Sequence, residues 1–162
     1  MNEDASGARQ TARGRVVPPV AALLCVAVPM WLVARLTPAL AVDLPGRGAA
    51  ALVLALAGAA IALAGVAEFR RARTTVNPLR PERASALVVS GIFRWTRNPM
   101  YLGLAIVLLG WACYLAHPLA AIGVPAFVAW MSRSQIPREE RALEQLFGAE
   151  FAQYKTRVRR WL

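Results

Sequence analysis

Two long stretches of the chain contain no charged side chain. Residues 49–67 form a run of 19 uncharged residues, and residues 101–131 form a run of 31. A helix rises about 1.5 Å per residue, so the first run spans about 28 Å, close to the ~30 Å hydrocarbon core of a bilayer. A third apolar stretch, residues 16–36, is interrupted only by Arg35. These runs predict membrane-spanning helices.

The composition agrees with a membrane protein. Hydrophobic residues make up 57% of the chain, whereas disordered chains are poor in them. The net charge is +10, and a chain this basic and this apolar indicates a membrane protein rather than a nucleic-acid binder. Cys25, Cys113 and His117 are the only cysteine and histidine residues. We therefore expect neither a disulfide framework nor a metal site.

The positions of the basic residues predict how the spans are connected. As one helix, residues 101–131 would be roughly 46 Å long, too long for an ordinary span. If the run breaks near His117-Pro118 to form a hairpin, 17 of the 19 Arg and Lys residues lie on one side of the membrane. The positive-inside rule favours this arrangement. We predict an all-α protein of the inner membrane with four transmembrane helices, the third and fourth a hairpin, and both termini cytoplasmic.

This topology divides the chain into three parts. Residues 1–15 are predicted to be a disordered cytoplasmic segment, residues 16–134 a four-helix transmembrane domain, and residues 135–162 a cytoplasmic helical tail. A different interpretation of the first span is a signal peptide cleaved near residues 39–41.

Residues 135–162 carry an amphipathic pattern. Apolar residues recur every three to four positions, as on one face of a helix: Leu143, Leu146, Phe147, Phe151, Tyr154, Val158 and Trp161. Gly148 interrupts the pattern and is predicted to end one helix and start the next. The pattern allows either a helix lying on the membrane surface or a cytoplasmic lid over a site.

Polar chemistry is expected at the cytoplasmic interface. No charged residue lies deep in a span, which disfavours a small proton-coupled exporter. Polar residues cluster at 74–78, 91–103 and 138–154, and the predicted hairpin brings these clusters to the same face.

Local chemistry suggests roles for several of these residues. Pro99 at a helix start leaves free N–H groups that suit an anion. Glu139 and Glu140 point about 100° apart on a helix, so one can meet a ligand while the other pairs with an arginine. The alternative is that both only neutralise arginines on a surface helix. For Arg94 and Arg97 the alternative is that they anchor lipid phosphates.

The ordered set of short motifs resembles the isoprenylcysteine carboxyl methyltransferase and phospholipid methyltransferase superfamily. The resemblance covers residues 74–162 and rests on residues 75–78, 91–94, 97–103, 139–143, 147–151, 154 and 160–161. Members are integral-membrane enzymes that use S-adenosylmethionine. This chain has Asn98 where many members have histidine, and Phe151 where tyrosine is common.

The resemblance implies a set of site residues. Arg97 and Glu140 are expected to be catalytic, and Arg94 and Trp95 to bind the substrate. The expected cofactor-binding residues are Asn98, Tyr101, Leu102, Gly103, Glu139, Glu140, Phe147 and Tyr154. Within this set, Tyr101 and Tyr154 would face the sulfonium, and a carboxylate of the Glu-Glu pair would hold the cofactor's ammonium or ribose hydroxyls.

The implied function is S-adenosylmethionine-dependent methylation of a lipophilic acceptor. The acceptor, an isoprenylcysteine-like carboxylate, a phospholipid amine or another membrane-soluble molecule, stays open, as does the oligomeric state. Two other functions are a non-enzymatic membrane adaptor or small transporter, and an NADPH-dependent membrane reductase. Sterol reductases share a similar Arg-His-Pro-x-Tyr-x-Gly region but are much longer.

Overall fold

The computed structural model describes residues 18–73 and 86–162, and every regular element within these ranges is helical. The predicted all-α class is therefore confirmed for these ranges, whereas residues 1–15 and the 74–78 cluster lie outside them. Two 3₁₀ turns, Pro38–Leu40 and Gly91–Arg94, and a π-helical turn, Met131–Gln135, accompany the α-helices. The α-helices are α1 Pro19–Leu36, α2 Arg47–Arg71, α3 Pro99–Leu115, α4 Pro118–Ala121, α5 Gly123–Trp130 and α6 Ile136–Arg157.

Two of the described helices, α1 and α2, are long and apolar enough to cross a membrane. Only 11% of the residues in the apolar window of each helix are buried. Large apolar side chains such as Leu24 and Val53 instead point outward, with exposed fractions of 54% and 65%. An apolar surface of this extent is typical of a protein surrounded by lipid.

The long apolar run breaks where the sequence predicted. Helix α3 ends at Leu115, and Ala116 adopts a left-handed conformation with φ 48°. His117 is extended, and its ring Nδ1 accepts a hydrogen bond from the backbone N–H of Ala120, which caps α4. The His117 Nε2 atom lies 2.9 Å from the carbonyl oxygen of Thr37, so the break is tied to the end of α1. Helix α5 then packs against α3 and α1.

Helices α2 and α3 form the closest helix pair, and small residues line their contact. A Cβ atom on Gly58 would lie 2.5 Å from the carbonyl oxygen of Gly103, and one on Gly65 would lie 2.9 Å from Pro99. The two helices therefore run antiparallel, with their backbones almost touching, as small-residue stripes permit. The contact fixes the start of α3 against the end of α2.

Helix α6 carries the predicted amphipathic pattern and the predicted break. Gly148 has non-helical torsions, φ 45° and ψ −115°, which kink the helix. Phe151, Tyr154 and Val158 are buried in a small core with Leu87 from the segment before α3. The second half of α6 therefore packs on the rest of the protein.

We expect Gly58→Ala to lower the thermal unfolding midpoint of the detergent-solubilised protein. The added methyl group would force α2 and α3 apart, and overpacking of this kind costs about 1–3 kcal/mol. Gly48→Ala is the matched control, because nothing lies within 4 Å of a Cβ atom at that position of the same helix. The control should melt at or above the parent temperature. Equal unfolding midpoints for the two variants would contradict the close contact between α2 and α3 at Gly58.

Candidate active site

A cavity of about 100 Å³ lies where the end of α2, the Gly91–Arg94 turn, the start of α3 and helix α6 meet. Aromatic rings form much of its wall: Phe69, Phe93, Phe151 and Tyr154. Its polar lining comes from Arg97, Asn98, Tyr101, Glu139 and Glu140. The two predicted interfacial clusters, residues 91–103 and 138–154, therefore share one cavity.

Glu140 is the member of the Glu-Glu pair that binds arginines. Its carboxylate accepts hydrogen bonds from Arg160 Nε at 3.1 Å and Nη2 at 2.5 Å. Its Oε1 atom also lies 3.2 Å from Arg97 Nη2. Because the Glu140 side chain is 13% exposed, these ion pairs are screened little by solvent. Glu140 thereby holds the start of α3 and the segment after α6 in one place.

Arg97 is only partly satisfied by Glu140. Its side chain is 13% exposed, and its Nε and Nη1 atoms are buried without a hydrogen-bond partner among residues 18–73 and 86–162. A buried cationic donor left without a partner is costly. Hydrogen bonds from a guanidinium to an ionised acceptor such as a carboxylate or phosphate are about twice as strong as those between neutral groups. The Nε and Nη1 donors of Arg97, in the wall of the cavity, therefore suit anionic or other strong acceptor groups.

Glu139 has a different environment. Its Oε1 atom accepts hydrogen bonds from the Tyr101 hydroxyl at 2.5 Å and from Gln135 Nε2 at 3.1 Å. Loss of hydration on burial raises the pKa of the Glu139 carboxyl to about 7, although these two hydrogen bonds lower it. Glu139 thus changes charge near neutral pH, inside the cavity and beside the Arg97–Glu140 pair.

The segment after α6 returns to the start of α3. The backbone N–H of Arg97 donates to the carbonyl oxygen of Arg159 at 3.0 Å. Asn98 Nδ2 and the Thr96 hydroxyl both donate to the carbonyl oxygen of Arg160, at 3.0 and 3.2 Å. Residues 96–98 are thereby held against the segment after α6, and Arg97 lines the cavity.

Tyr154 forms another part of the cavity wall. Its hydroxyl donates to the carbonyl oxygen of Phe93 at 2.7 Å. Burial raises the pKa of Tyr154, so the hydroxyl stays protonated and keeps this donor role.

The predicted site residues fall into two groups. Arg97, Asn98, Tyr101, Glu139, Glu140 and Tyr154 line the cavity; Leu102, Gly103, Phe147, Arg94 and Trp95 do not. Gly103 packs against Gly58 of α2, and Phe147 packs against the small core around Phe151. Arg94 and Trp95 are exposed, and Arg94 lines a separate groove with Arg157. The roles assigned to these residues stay predictions.

Sequence reasoning missed several residues around the cavity. Gln135 is buried, and its side chain donates a hydrogen bond to Glu139. The two residues are four positions apart, a spacing that places side chains side by side on a helix and could have indicated this pair. Phe69 and Phe93 supply aromatic walls, and Thr96 is fully buried. Phe69 stands in no motif that would have indicated it. Phe93 and Thr96 lie in the 91–103 cluster, where nothing local distinguishes them from their neighbours.

We expect the free energy of unfolding to fall as the pH rises from about 4.5 to about 7, because the pKa of Glu139 is higher in the folded protein than in the unfolded chain. The folded protein keeps a proton there that the unfolded chain releases near 4.5, so this stability is fully present below 4.5 and lost as the pH passes 7. The full effect is about 3 kcal/mol. Glu139→Gln should abolish it in thermal unfolding measured across this pH range.

Glu144→Gln provides the control for this titration. Glu144 is an exposed residue of the same helix, paired with Lys155. Its variant should follow the pH profile of the parent protein. Parallel profiles for the parent and Glu139→Gln would show that the buried carboxyl is not the titrating group.

Sequence comparisons show which known proteins this chain is similar to. The family model described as phospholipid methyltransferase matches residues 47–150, which run from the start of α2 into the second half of α6. An uncharacterized protein of Haemophilus influenzae is 48% identical over 63 residues, 39% of this chain and all of that protein. No solved structure matches the chain.

Two further relatives carry functional names. Protein-S-isoprenylcysteine O-methyltransferase A of Arabidopsis thaliana is 32% identical over 66% of this chain and 54% of that protein. Protein-S-isoprenylcysteine O-methyltransferase of Saccharomyces cerevisiae is 35% identical over 49% of this chain and 33% of that protein. The chain thus spans about half the length of the plant relative and a smaller part, 33%, of the yeast relative. With the family match covering most of its residues, the chain belongs to the phospholipid methyltransferase family.

Proposed function

We propose that the protein is a membrane methyltransferase that uses S-adenosylmethionine to methylate a lipophilic acceptor at the cytoplasmic face of the membrane. The observation that carries the proposal is that the Nε and Nη1 donors of Arg97 are buried without a partner among the described residues, in the wall of a cavity that Glu139 and aromatic rings also line. Family membership and the names of the relatives support the reaction class.

The cavity residues match the groups of this cofactor. Arg97 would donate a charge-assisted hydrogen bond to the cofactor's carboxylate. Glu139 would accept hydrogen bonds from the ammonium group, and that cation would favour the ionised carboxylate. Tyr101 and Tyr154 offer ring faces for a positive charge. The chemistry of the donor set therefore fits the cofactor.

The cavity must widen to hold the whole cofactor. Small-molecule sites usually measure about 300–1,000 Å³, and the described residues enclose about 100 Å³. When bound, S-adenosylmethionine supplies an electrophilic methyl group on a sulfonium. Displacement at that carbon needs alignment and a site from which water is excluded. The aromatic walls would exclude water, and the Arg97–Glu140–Arg160 ion pairs would fix the position of the Arg97 guanidinium.

The location of the cavity indicates the chemical class of the methyl acceptor. The cavity lies at one end of the α2–α3 pair, where α2 ends and α3 starts. The opposite ends of these two apolar helices are distant from the cavity. A water-soluble cofactor can approach this end from the cytoplasm, and a lipid can reach it sideways from the bilayer. We propose an acceptor that carries a long apolar chain and a terminal carboxylate or amine.

The proposed topology has four spans in the inner membrane, with both termini in the cytoplasm. α1 and α2 would be the first two spans, and α3 and α5 would form the hairpin on either side of the break at Ala116-His117. The partition of 17 of the 19 basic residues to one side supports this orientation.

We expect Arg97→Gln to weaken S-adenosylhomocysteine binding about ten- to a hundred-fold in a calorimetric titration. A charge-assisted hydrogen bond is worth about 1.5–3 kcal/mol, and each 1.4 kcal/mol is one decade of affinity. Arg159→Gln makes the same charge change on an exposed side chain and should bind like the parent. A parent protein that binds NADPH and not S-adenosylhomocysteine would instead identify a reductase.

We expect single cysteines to label from opposite sides of the membrane, with the two native cysteines replaced by alanine. Leu44→Cys and Leu119→Cys should react with an impermeant maleimide added to intact cells. Val89→Cys and Leu162→Cys should react only after the membrane is opened. All four positions are at least 41% exposed, so access to the reagent is set by the side of the membrane. Labelling of Leu119→Cys only in opened cells would rule out the hairpin.

A further inference from the structure

One buried carboxylate lies close to the cavity without lining it. Glu68 is the only acidic residue of α2, and it is 9% exposed in the last turn of that helix. A carboxylate at a helix C-terminus faces the negative end of the helix dipole and, when buried, also loses hydration. Its presence there requires contacts that compensate for both effects.

Among residues 18–73 and 86–162, two side chains donate hydrogen bonds to Glu68. The Ser90 hydroxyl donates to Oε2 at 2.6 Å, and Arg71 Nη1 donates to Oε1 at 2.9 Å. The Arg71 side chain is 78% exposed, so this ion pair contributes little. The Ser90 bond connects α2 to the segment that leads to α3.

Gly91 follows Ser90 and packs directly on the same carboxylate. Its φ is +55°, in the region that favours glycine. A Cβ atom at this position would lie 2.5 Å from Glu68 Cδ. The absence of a side chain at Gly91 therefore allows the backbone to rest on the carboxylate of Glu68.

The turn that begins at Gly91 forms one wall of the cavity. The Phe93 ring meets the Phe69 ring edge-on, with centroids 5.1 Å apart and an interplanar angle of 78°. The Phe93 carbonyl accepts the hydrogen bond from the Tyr154 hydroxyl. Phe69, Phe93 and Tyr154 all line the cavity. A shift of this turn would therefore move the wall on the α6 side as well.

We infer that Glu68 is a positioning residue for the cofactor cavity: through Ser90 and Gly91 it holds the Gly91–Arg94 turn so that Phe93 and Tyr154 form one wall. The inference rests on the proposed function, which supplies the ligand for this cavity. Glu68 itself would not touch the cofactor.

The test measures S-adenosylhomocysteine affinity by calorimetry in the full-length protein. Ser90 is exposed, so Ser90→Ala should fold like the parent. We expect it to bind about tenfold more weakly, since a hydrogen bond to a charged group is worth about one decade or more in an equilibrium constant. Ser90→Thr keeps the hydroxyl and should restore the parent affinity. Recovery of affinity in Ser90→Thr would show that the hydroxyl group at position 90, and not the substitution as such, accounts for the weaker binding of Ser90→Ala.

A double-mutant cycle examines the pair itself. Glu68→Ala should weaken binding to a similar degree, and the double variant with Ser90→Ala should be no weaker than the worse single variant, because both remove one interaction. Arg71→Ala is the control and should bind like the parent. If Glu68→Ala does not fold, the comparison of Ser90→Ala with Ser90→Thr decides.

Two outcomes separate the inference from the proposed function. A parent protein that does not bind S-adenosylhomocysteine would overturn both. If the parent binds and Ser90→Ala binds equally well, the positioning role of Glu68 is wrong and the proposed function stands. Additive losses in the cycle would also contradict the inference, since they would mean that Glu68 and Ser90 act separately.

Discussion

The ion pairs of Glu140 join three segments that are distant along the chain. Arg97 precedes α3, Glu140 belongs to α6, and Arg160 follows α6. A buried carboxylate between two guanidinium groups is stable only while both remain, and removal of the carboxylate would leave two cations against one another. The position of the Arg97 guanidinium, the wall formed by α6 and the return of the last segment all depend on this arrangement.

The features that sequence reasoning predicted are those that local rules determine. The break at His117-Pro118 follows from the length of the apolar run and from the placement of arginines. The kink at Gly148 follows from the conformational freedom of glycine within an amphipathic pattern. Both are confirmed. The four-span topology stays a prediction, because it depends on a membrane as well as on the helices.

The features that sequence reasoning could not predict depend on contacts between distant segments. Glu139 and Glu140 are neighbours in sequence, and only their partners, Tyr101 for one and two arginines for the other, distinguish them. Arg94 and Arg97 are three positions apart in an irregular segment, where no helical period indicates which one points inward. The hydrogen bond between Glu68 and Ser90 likewise arises only when α2 meets the approach to α3.

The return of residues 159–161 to the start of α3 has a consequence for biosynthesis. The carbonyl groups of Arg159 and Arg160 hold residues 96–98, and the Trp161 indole N–H donates to the Ser132 hydroxyl. Chains fold progressively as they leave the ribosome, N-terminal parts first. The helices α1 to α3 can therefore form early, whereas residues 96–98 reach their final position only after Arg159 and Arg160 have been synthesised. Formation of the helices and completion of the cavity wall at Arg97 are thus expected to be separate steps.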